Sequence, residues 1–173
     1  MLGFFTDTYD RWYLNNHRRK TLSKIAKHGW TATYVYDTDS RHTDFAYTIG
    51  FSDHGAPELI TFDLPAELAN YIFWEAFDLV KSGRQIPHGF RHVAADPDLQ
   101  NFQCRFLDAT HPDTWSKYIF DAKTHSIEHG RGDRPAAMQI VWPSAENLRY
   151  PWQPDCPKRV IDAQPVLYVN PPG

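Results

Sequence analysis

The heptapeptide FAYTIGF, residues 45–51, constrains the fold more than any other segment of the chain. Side chains of an extended strand point alternately to its two faces. One face of this strand therefore carries only bulky side chains, namely Phe45, Tyr47, Ile49 and Phe51. The opposite face carries only small ones, namely Ala46, Thr48 and Gly50. This bare face predicts a close approach by a packed helix, by another backbone segment or by a ligand.

Strand-like and helical segments follow one another in mixed order along the chain. Alternation or apolar runs predict further strands at residues 31–37, 58–64, 101–109, 136–142 and 165–169. Helical spacing, with Gly after helix ends, predicts helices at residues 6–28, 65–82 and 112–129. A length of 173 residues fits one domain. We therefore predict a single domain, residues 1–173, of α+β class, with a mostly antiparallel β-sheet covered by two or three helices.

Charge and composition narrow the functional classes. The formal net charge of −3 argues against a protein built mainly to bind nucleic acid. No segment approaches the roughly 20 apolar residues of a membrane span. The first residues lack a secretory signal pattern, and two cysteines are too few for a disulfide scaffold. We expect a cytoplasmic protein with no membrane association, and the sequence leaves its oligomeric state open.

The segment HSIEH, residues 125–129, matches the H-x-x-E-H pattern of inverted zinc peptidases. His125 and His129 are thus candidate metal ligands of a zinc-dependent hydrolase. Two features oppose this interpretation, because Glu128 continues the polar stripe of the predicted helix and no distant third ligand follows. We predict no metal site and interpret both residues as ordinary helix-end histidines. The sequence has no glycine-rich phosphate loop or nucleophile elbow, so it identifies no cofactor.

A set of aromatic and polar residues near predicted strand ends forms the candidate ligand site. Its members are Trp30, Tyr47, Thr48, Glu58, Gln139, Trp142, Trp152 and Gln164. Aromatic rings suit flat or apolar ligands, and the polar side chains would orient them. Gln139 lies among apolar neighbours, where an unpaired amide costs roughly 1–3 kcal/mol. Such a side chain either holds a loop or binds the polar edge of a ligand, and the sequence leaves both roles open.

Six segments occur in an order that resembles the bacterial domain-of-unknown-function family numbered 4262. They are KHGW, FAYTIGF, PELITFDLP, MQIVWP, YPWQP and AQPVL, and the resemblance covers about residues 28–167. The chain departs from the family pattern at two places. The family carries His directly before P-E-L, whereas two residues separate His54 from that segment here. The family also carries Asp after W-P, where this chain has Ser144. The resemblance implies a fold and a grouping, and it implies no reaction.

The leading functional hypothesis is binding of a small molecule or peptide in an aromatic-lined pocket. The alternative is a non-catalytic protein-interaction or structural module, and the zinc hydrolase is a third hypothesis. Whether the protein is an enzyme stays undecided; if it is one, Glu58 or His54 is the candidate general acid or base. One structural observation distinguishes the first two hypotheses. Glu58, Gln139 and Gln164 either converge on an open cavity near Thr48 or pair with protein groups.

Overall fold

Strands form where the sequence alternates or is continuously apolar. The computed structural model describes residues 3–39, 42–99 and 102–172, with side chains from residue 11 onward. The ends of the predicted domain, residues 1–2 and 173, and the first residue of the strand predicted at 101–109 lie outside these ranges. Within them, six strands form one sheet: β1 Thr31–Val35, β2 Phe45–Ile49, β3 Glu58–Phe62, β4 Phe90–Val93, β5 Gln103–Asp108 and β6 Ala137–Val141.

The helices cover this sheet from both sides. They are α1 Gly3–His28, α2 Ala66–Lys81, α3 Phe120–Glu128 and α4 Lys158–Asp162. The strand order is β1-β2-β3-β6-β5-β4. Only β3 and β6 pair in parallel, and all other neighbours in the described sheet are antiparallel. The predicted α+β class with a mostly antiparallel sheet is confirmed.

Helix α2 covers the bare face of β2. Its apolar stripe, Ala69, Ile72, Phe73, Ala76 and Phe77, is buried in one cluster with Ala46 of β2. The bulky side chains Tyr47 and Ile49 pack in a different cluster, which contains residues of α3. A packed helix is thus the main occupant of the bare face. Small side chains allow α2 to pack closely because no bulky group separates it from the strand.

Gly50 ends β2 and reverses the direction of the next side chain. It has φ 107°, a left-handed conformation that favours glycine, and it starts a 3₁₀ turn over Phe51–His54. Phe51 therefore packs beside Trp30 and Phe77, on the side of α2. The prediction that Phe51 shares a face with Tyr47 is wrong, because the strand ends before it.

Several other predicted elements differ from the observed ones. Residues 165–169 form no strand and contribute one isolated bridge, between Ala109 and Tyr168. The helix predicted at 112–129 is interrupted, with a π-helical turn at Thr114–Tyr118 before α3. Strand β4 and helix α4 lie in segments for which the sequence predicted no strand or helix. Both elements are short, so their periodicity extends over too few residues to be recognised in the sequence.

No helix in the described part of the chain is long and apolar enough to cross a membrane.

Candidate functional site

The Glu58 carboxylate lies at the start of β3, directly beneath the turn that follows β2. Its side chain has no exposed surface. One oxygen accepts the Thr48 hydroxyl at 2.7 Å and the Phe51 N–H at 3.3 Å. The other accepts the Gly50 N–H at 3.0 Å and both the N–H and hydroxyl of Ser52 at 3.1 and 2.9 Å. Successive backbone N–H groups in such a turn form a concave anion site, and here a side chain of the same chain fills it.

Burial raises the pKa of the Glu58 carboxyl above its ordinary value, while the hydrogen bonds from Thr48, Ser52 and Gly50 act in the opposite direction. His54, the other candidate acid or base, lies in a different environment. Its Nε2 is 3.1 Å from the Gly29 carbonyl oxygen, and its ring contacts Phe77 edge-on at 5.0 Å. The two residues share no hydrogen-bond partner among the described contacts. Their acid–base role stays a prediction.

Both predicted glutamines hold the C-terminal segment against β6. Gln139 donates to the Pro165 carbonyl at 2.9 Å and accepts the Leu167 N–H at 3.0 Å. Gln164 accepts the Trp142 N–H and donates to the Trp142 carbonyl, each at 3.0 Å. These side-chain hydrogen bonds replace the backbone ladder that a strand would have made. Glu58, Gln139 and Gln164 therefore all pair with protein groups.

The predicted aromatic residues are distributed over the two faces of the sheet. The indole N–H of Trp142 donates to the Phe62 carbonyl at 2.8 Å, and that of Trp152 donates to the Pro172 carbonyl at 2.9 Å. Tyr47 is buried in the cluster on the α3 side, whereas Trp30 packs on the α2 side. The eight predicted ligand residues thus do not line one common cavity; their part in ligand binding stays a prediction.

The HSIEH segment contributes its first histidine to an ion-pair network. His125 is buried, with its Nε2 at 2.9 Å from Asp53 Oδ2. Its Nδ1 lies 3.1 Å from a guanidinium nitrogen of Arg18. Because a guanidinium only donates, Nδ1 accepts and the ring proton sits on Nε2. Glu128 pairs with Arg18, and His129 Nδ1 is 2.8 Å from the His125 carbonyl. Among the described residues, no group of three or more His, Cys, Asp or Glu is arranged to hold a metal ion.

A second buried histidine, His92 on β4, faces Glu75 of α2 with 2.7 Å between Nε2 and Oε2. Its ring stacks against Phe106 at 5.8 Å. Burial lowers the pKa of His92 below 6.5, although the Glu75 carboxylate acts in the opposite direction. His92 is therefore expected to limit the stability of the fold in acid.

We predict that the free energy of unfolding falls as pH drops from 6.5 toward the lower pKa of folded His92. The unfolded chain takes up its proton first in this window, and each unit of pKa difference removes about 1.4 kcal/mol. Urea unfolding on either side of pH 6.5 measures the slope for the wild type and for His92→Gln. The variant should show the smaller slope. Equal slopes would contradict the assignment.

A cleft lies at the other end of β2, away from Glu58. It has a volume of about 600 Å³. Its lining comprises Val35, Tyr36, Asp37, His42, Thr43, Phe45, Lys117, Tyr118 and Pro165. Sequence reasoning missed this site, because its residues come from the β1–β2 loop, the π-helical turn and the C-terminal segment. Phe45 and Pro165 lie in segments that resemble the family, but the sequence named neither as a site residue.

The aromatic walls of this cleft are fixed by contacts behind them. Phe45 and Tyr118 meet edge-to-face at 5.2 Å, and Phe62 supports Tyr118 from behind at 5.1 Å. Tyr47 stacks on Phe45 at 6.2 Å. The Gln139 amide fixes the carbonyl of Pro165, which lines the cleft. Two of the predicted residues thus position the walls of a cleft that they do not themselves line.

A family model described as a domain of unknown function, DUF4262, matches residues 24–157. The match begins in the last turns of α1 and ends before α4. No curated protein and no solved structure matches the chain.

Proposed function

The chain belongs to the DUF4262 family, and we propose that this member binds a small molecule with a flat apolar part in the cleft between β2 and the π-helical turn. The observation that carries the proposal is the 600 Å³ volume walled by the rings of Tyr36, Phe45 and Tyr118. Small-molecule sites are concave, largely apolar and roughly 300–1,000 Å³ in volume. This cleft meets all three conditions.

Preformed walls favour binding because little side-chain freedom is lost when the ligand enters. Phe45 and Tyr118 are held by each other and by the rings behind them. On the loop side, the Asp44 carboxylate accepts the Asp37 N–H at 2.7 Å, which fixes the backbone where the loop meets the cleft. The aromatic surface therefore exists before the ligand arrives.

Charged groups of both signs stand at the rim of the cleft. Lys117 lines it but already donates to Asp113 at 2.7 Å, while Asp37 and His42 lie on the opposite loop. A strongly charged ligand would meet one favourable and one unfavourable group. A neutral flat ring with polar substituents fits this rim better, and the same chemistry occurs in the aromatic side chain of a peptide.

Indole is a suitable probe, since it is flat, neutral and carries one donor. We expect saturation-transfer NMR to detect its binding to the wild type. Thr43→Trp would fill the cleft and weaken binding at least tenfold, a change of about 1.4 kcal/mol. Thr38→Trp is the matched control, because it places the same side chain on the same loop outside the lining and should bind like wild type.

Equal binding by the wild type and Thr43→Trp would place the probe elsewhere and overturn the proposal. Failure of indole and of substituted indoles to bind at millimolar concentration would do the same.

In the alternative hypothesis of an interaction or structural module, residues 142–152 would bind a partner or serve as a packing element. The two tryptophans of this segment donate their indole N–H groups inward, to the Phe62 and Pro172 carbonyls. Ser144 is buried and accepts the Leu148 N–H at 2.9 Å through its carbonyl. These contacts favour a packing element over a surface that presents its rings to a partner.

A further inference from the structure

Strand β1 forms one edge of the sheet. The Asp63 N–H donates to the Asp44 carbonyl at 2.8 Å, in continuation of the β2–β3 register, so even-numbered residues of β2 direct their backbone groups toward β3. Its odd-numbered residues therefore pair with the odd-numbered residues of β1. The backbone groups of Ala32 and Tyr34 consequently point away from the sheet. Within residues 3–39, 42–99 and 102–172, no backbone hydrogen bond joins them to another segment.

This edge lacks the features that normally keep another strand from pairing, which are charges, proline, bulges or very short strands. The opposite edge of the sheet, β4, has four residues and carries the exposed Arg91. Strand β1 has the sequence TATYV, five residues without charge or proline, and its register with β2 contains no bulge. The two edges therefore differ, and β1 is the one that is open to pairing.

A groove between α1 and α2 reaches the β1 edge. It is lined by Lys24 and His28 of α1, by Asn70 and Trp74 of α2, and between them by β1. Both β1 residues with outward backbone groups belong to this lining. The groove has a volume of about 210 Å³, less than the roughly 300–1,000 Å³ of small-molecule sites. It therefore suits a ligand that lies along the strand and inserts a side chain, more than a whole small molecule.

Charge in the groove favours an acidic side chain at one of the two outward positions. Lys24 lines the groove, and the lining, as far as the structure describes the chain, contains no Asp or Glu. At the other position, burial raises the pKa of the Tyr34 hydroxyl to about 12, and Tyr36 and Glu67 add to the rise. Negative charge is disfavoured there, so the acidic side chain belongs opposite Ala32.

We propose that an extended peptide with an acidic side chain pairs antiparallel with β1 and adds a strand to the sheet. Main-chain hydrogen bonds give affinity in this mode of recognition, and alternate side chains give specificity. A second copy of the chain fits less well, because its own β1 lies between its own α1 and α2, and four helices would meet at one groove. The groove shares no described lining residue with the cleft beside β2, so the proposal stands independently of the one above.

Hydrogen exchange of the free protein, followed by NMR, tests the edge itself. We expect the Ala32 and Tyr34 amides to exchange roughly tenfold faster than the Thr33 amide, which faces β2. Equal protection of the three amides would show that the edge is already covered and would overturn the proposal.

The peptide acetyl-TVEVT-amide is the probe for binding. With its Glu opposite Ala32 in an antiparallel pair, the Glu N–H faces β1 and the neighbouring Val N–H groups face solvent. N-methylation of the Glu nitrogen should therefore weaken binding about tenfold, since it removes a donor and separates the strands. N-methylation of the preceding Val is the matched control and should leave the affinity unchanged. Titration followed by ¹⁵N NMR should shift the Ala32 and Tyr34 amide signals and slow their exchange.

The charge requirement is tested with acetyl-TVKVT-amide, which should bind about fivefold more weakly, and Lys24→Gln should reduce this difference. Thr43→Trp, which fills the cleft beside β2, should bind the Glu peptide like wild type. Unmoved Ala32 and Tyr34 signals at millimolar peptide, equal weakening by the two methylated peptides, or equal affinity for the Glu and Lys peptides would each overturn the proposal. A dimer in light scattering whose formation protects the Ala32 amide would assign the edge to a second copy and overturn it too.

Discussion

Glu58→Ala is expected to destabilise the protein by about 3–5 kcal/mol, because buried donors that lose their acceptor cost about 1–3 kcal/mol each. Three backbone N–H groups and the hydroxyls of Thr48 and Ser52 all point at this carboxylate. The Glu58 side chain has no exposed surface, and Thr48, Gly50 and Phe51 are buried, so water reaches the donors of these three residues only if the turn opens. A loss of this size approaches the whole stability of a marginal domain, about 5–15 kcal/mol.

Urea unfolding followed by circular dichroism measures the loss. Glu146→Ala is the control, since the Glu146 side chain pairs with Arg159 at the surface and its removal should cost about 0–1 kcal/mol. The loss of stability in Glu58→Gln should lie between those of Glu58→Ala and Glu146→Ala. The amide keeps one acceptor oxygen, but its NH₂ group would face N–H and O–H donors that now bind the second carboxylate oxygen. A loss of stability below about 1 kcal/mol for Glu58→Ala would contradict this prediction, because it would mean that the turn is stable without the buried carboxylate.

Gly50→Ala is expected to cost about 2–5 kcal/mol, from left-handed strain of about 1–2 kcal/mol and overpacking of about 1–3 kcal/mol. Gly50 has φ 107°, and a Cβ there would lie 3.0 Å from the Gly29 carbonyl oxygen and 3.2 Å from the Trp30 Cα. Both neighbours are backbone atoms, which cannot rotate away as a flexible side chain does. The added methyl would therefore separate β2 from the start of β1.

Gly55→Ala separates the two contributions. Gly55 also has positive φ, 72°, but a Cβ there would have no atom of the described residues within 4 Å, so only the strain of about 1–2 kcal/mol remains. Thermal and urea unfolding of both variants give the difference between them, which reports the crowding at Gly50. Equal losses in the two variants would show that the close approach of the Gly29–Trp30 backbone contributes nothing.

The bare face of β2 shows how far sequence reasoning reached. Alternation identified the strand and its two unequal faces, and helical spacing identified the apolar stripe of α2 that covers one of them. Both are local periodicities, so a single chain reveals them. The role of Glu58 was out of reach. Its position suggested a pocket, but its partners come from a turn whose path depends on the conformation of Gly50.

The cleft beside β2 was out of reach for a related reason. It is lined by segments far apart in the chain, among them Phe45, Lys117 and Pro165. The sequence named Trp30 as an aromatic wall but held no sign that its indole N–H has no partner among the described residues, because a missing partner is visible only once all neighbours are in place.

The sequence by itself determined the α+β class, most strand and helix positions and the family, because these depend on periodicity and on short ordered motifs. The tertiary structure alone decided which polar groups are satisfied and which surfaces are concave. It turned Glu58, Gln139 and Gln164 inward onto backbone groups and left the open aromatic surfaces to Tyr36, Tyr118 and Trp74. Hydrogen-bond partners and cavities are relations between distant segments, and they exist only after the chain has packed.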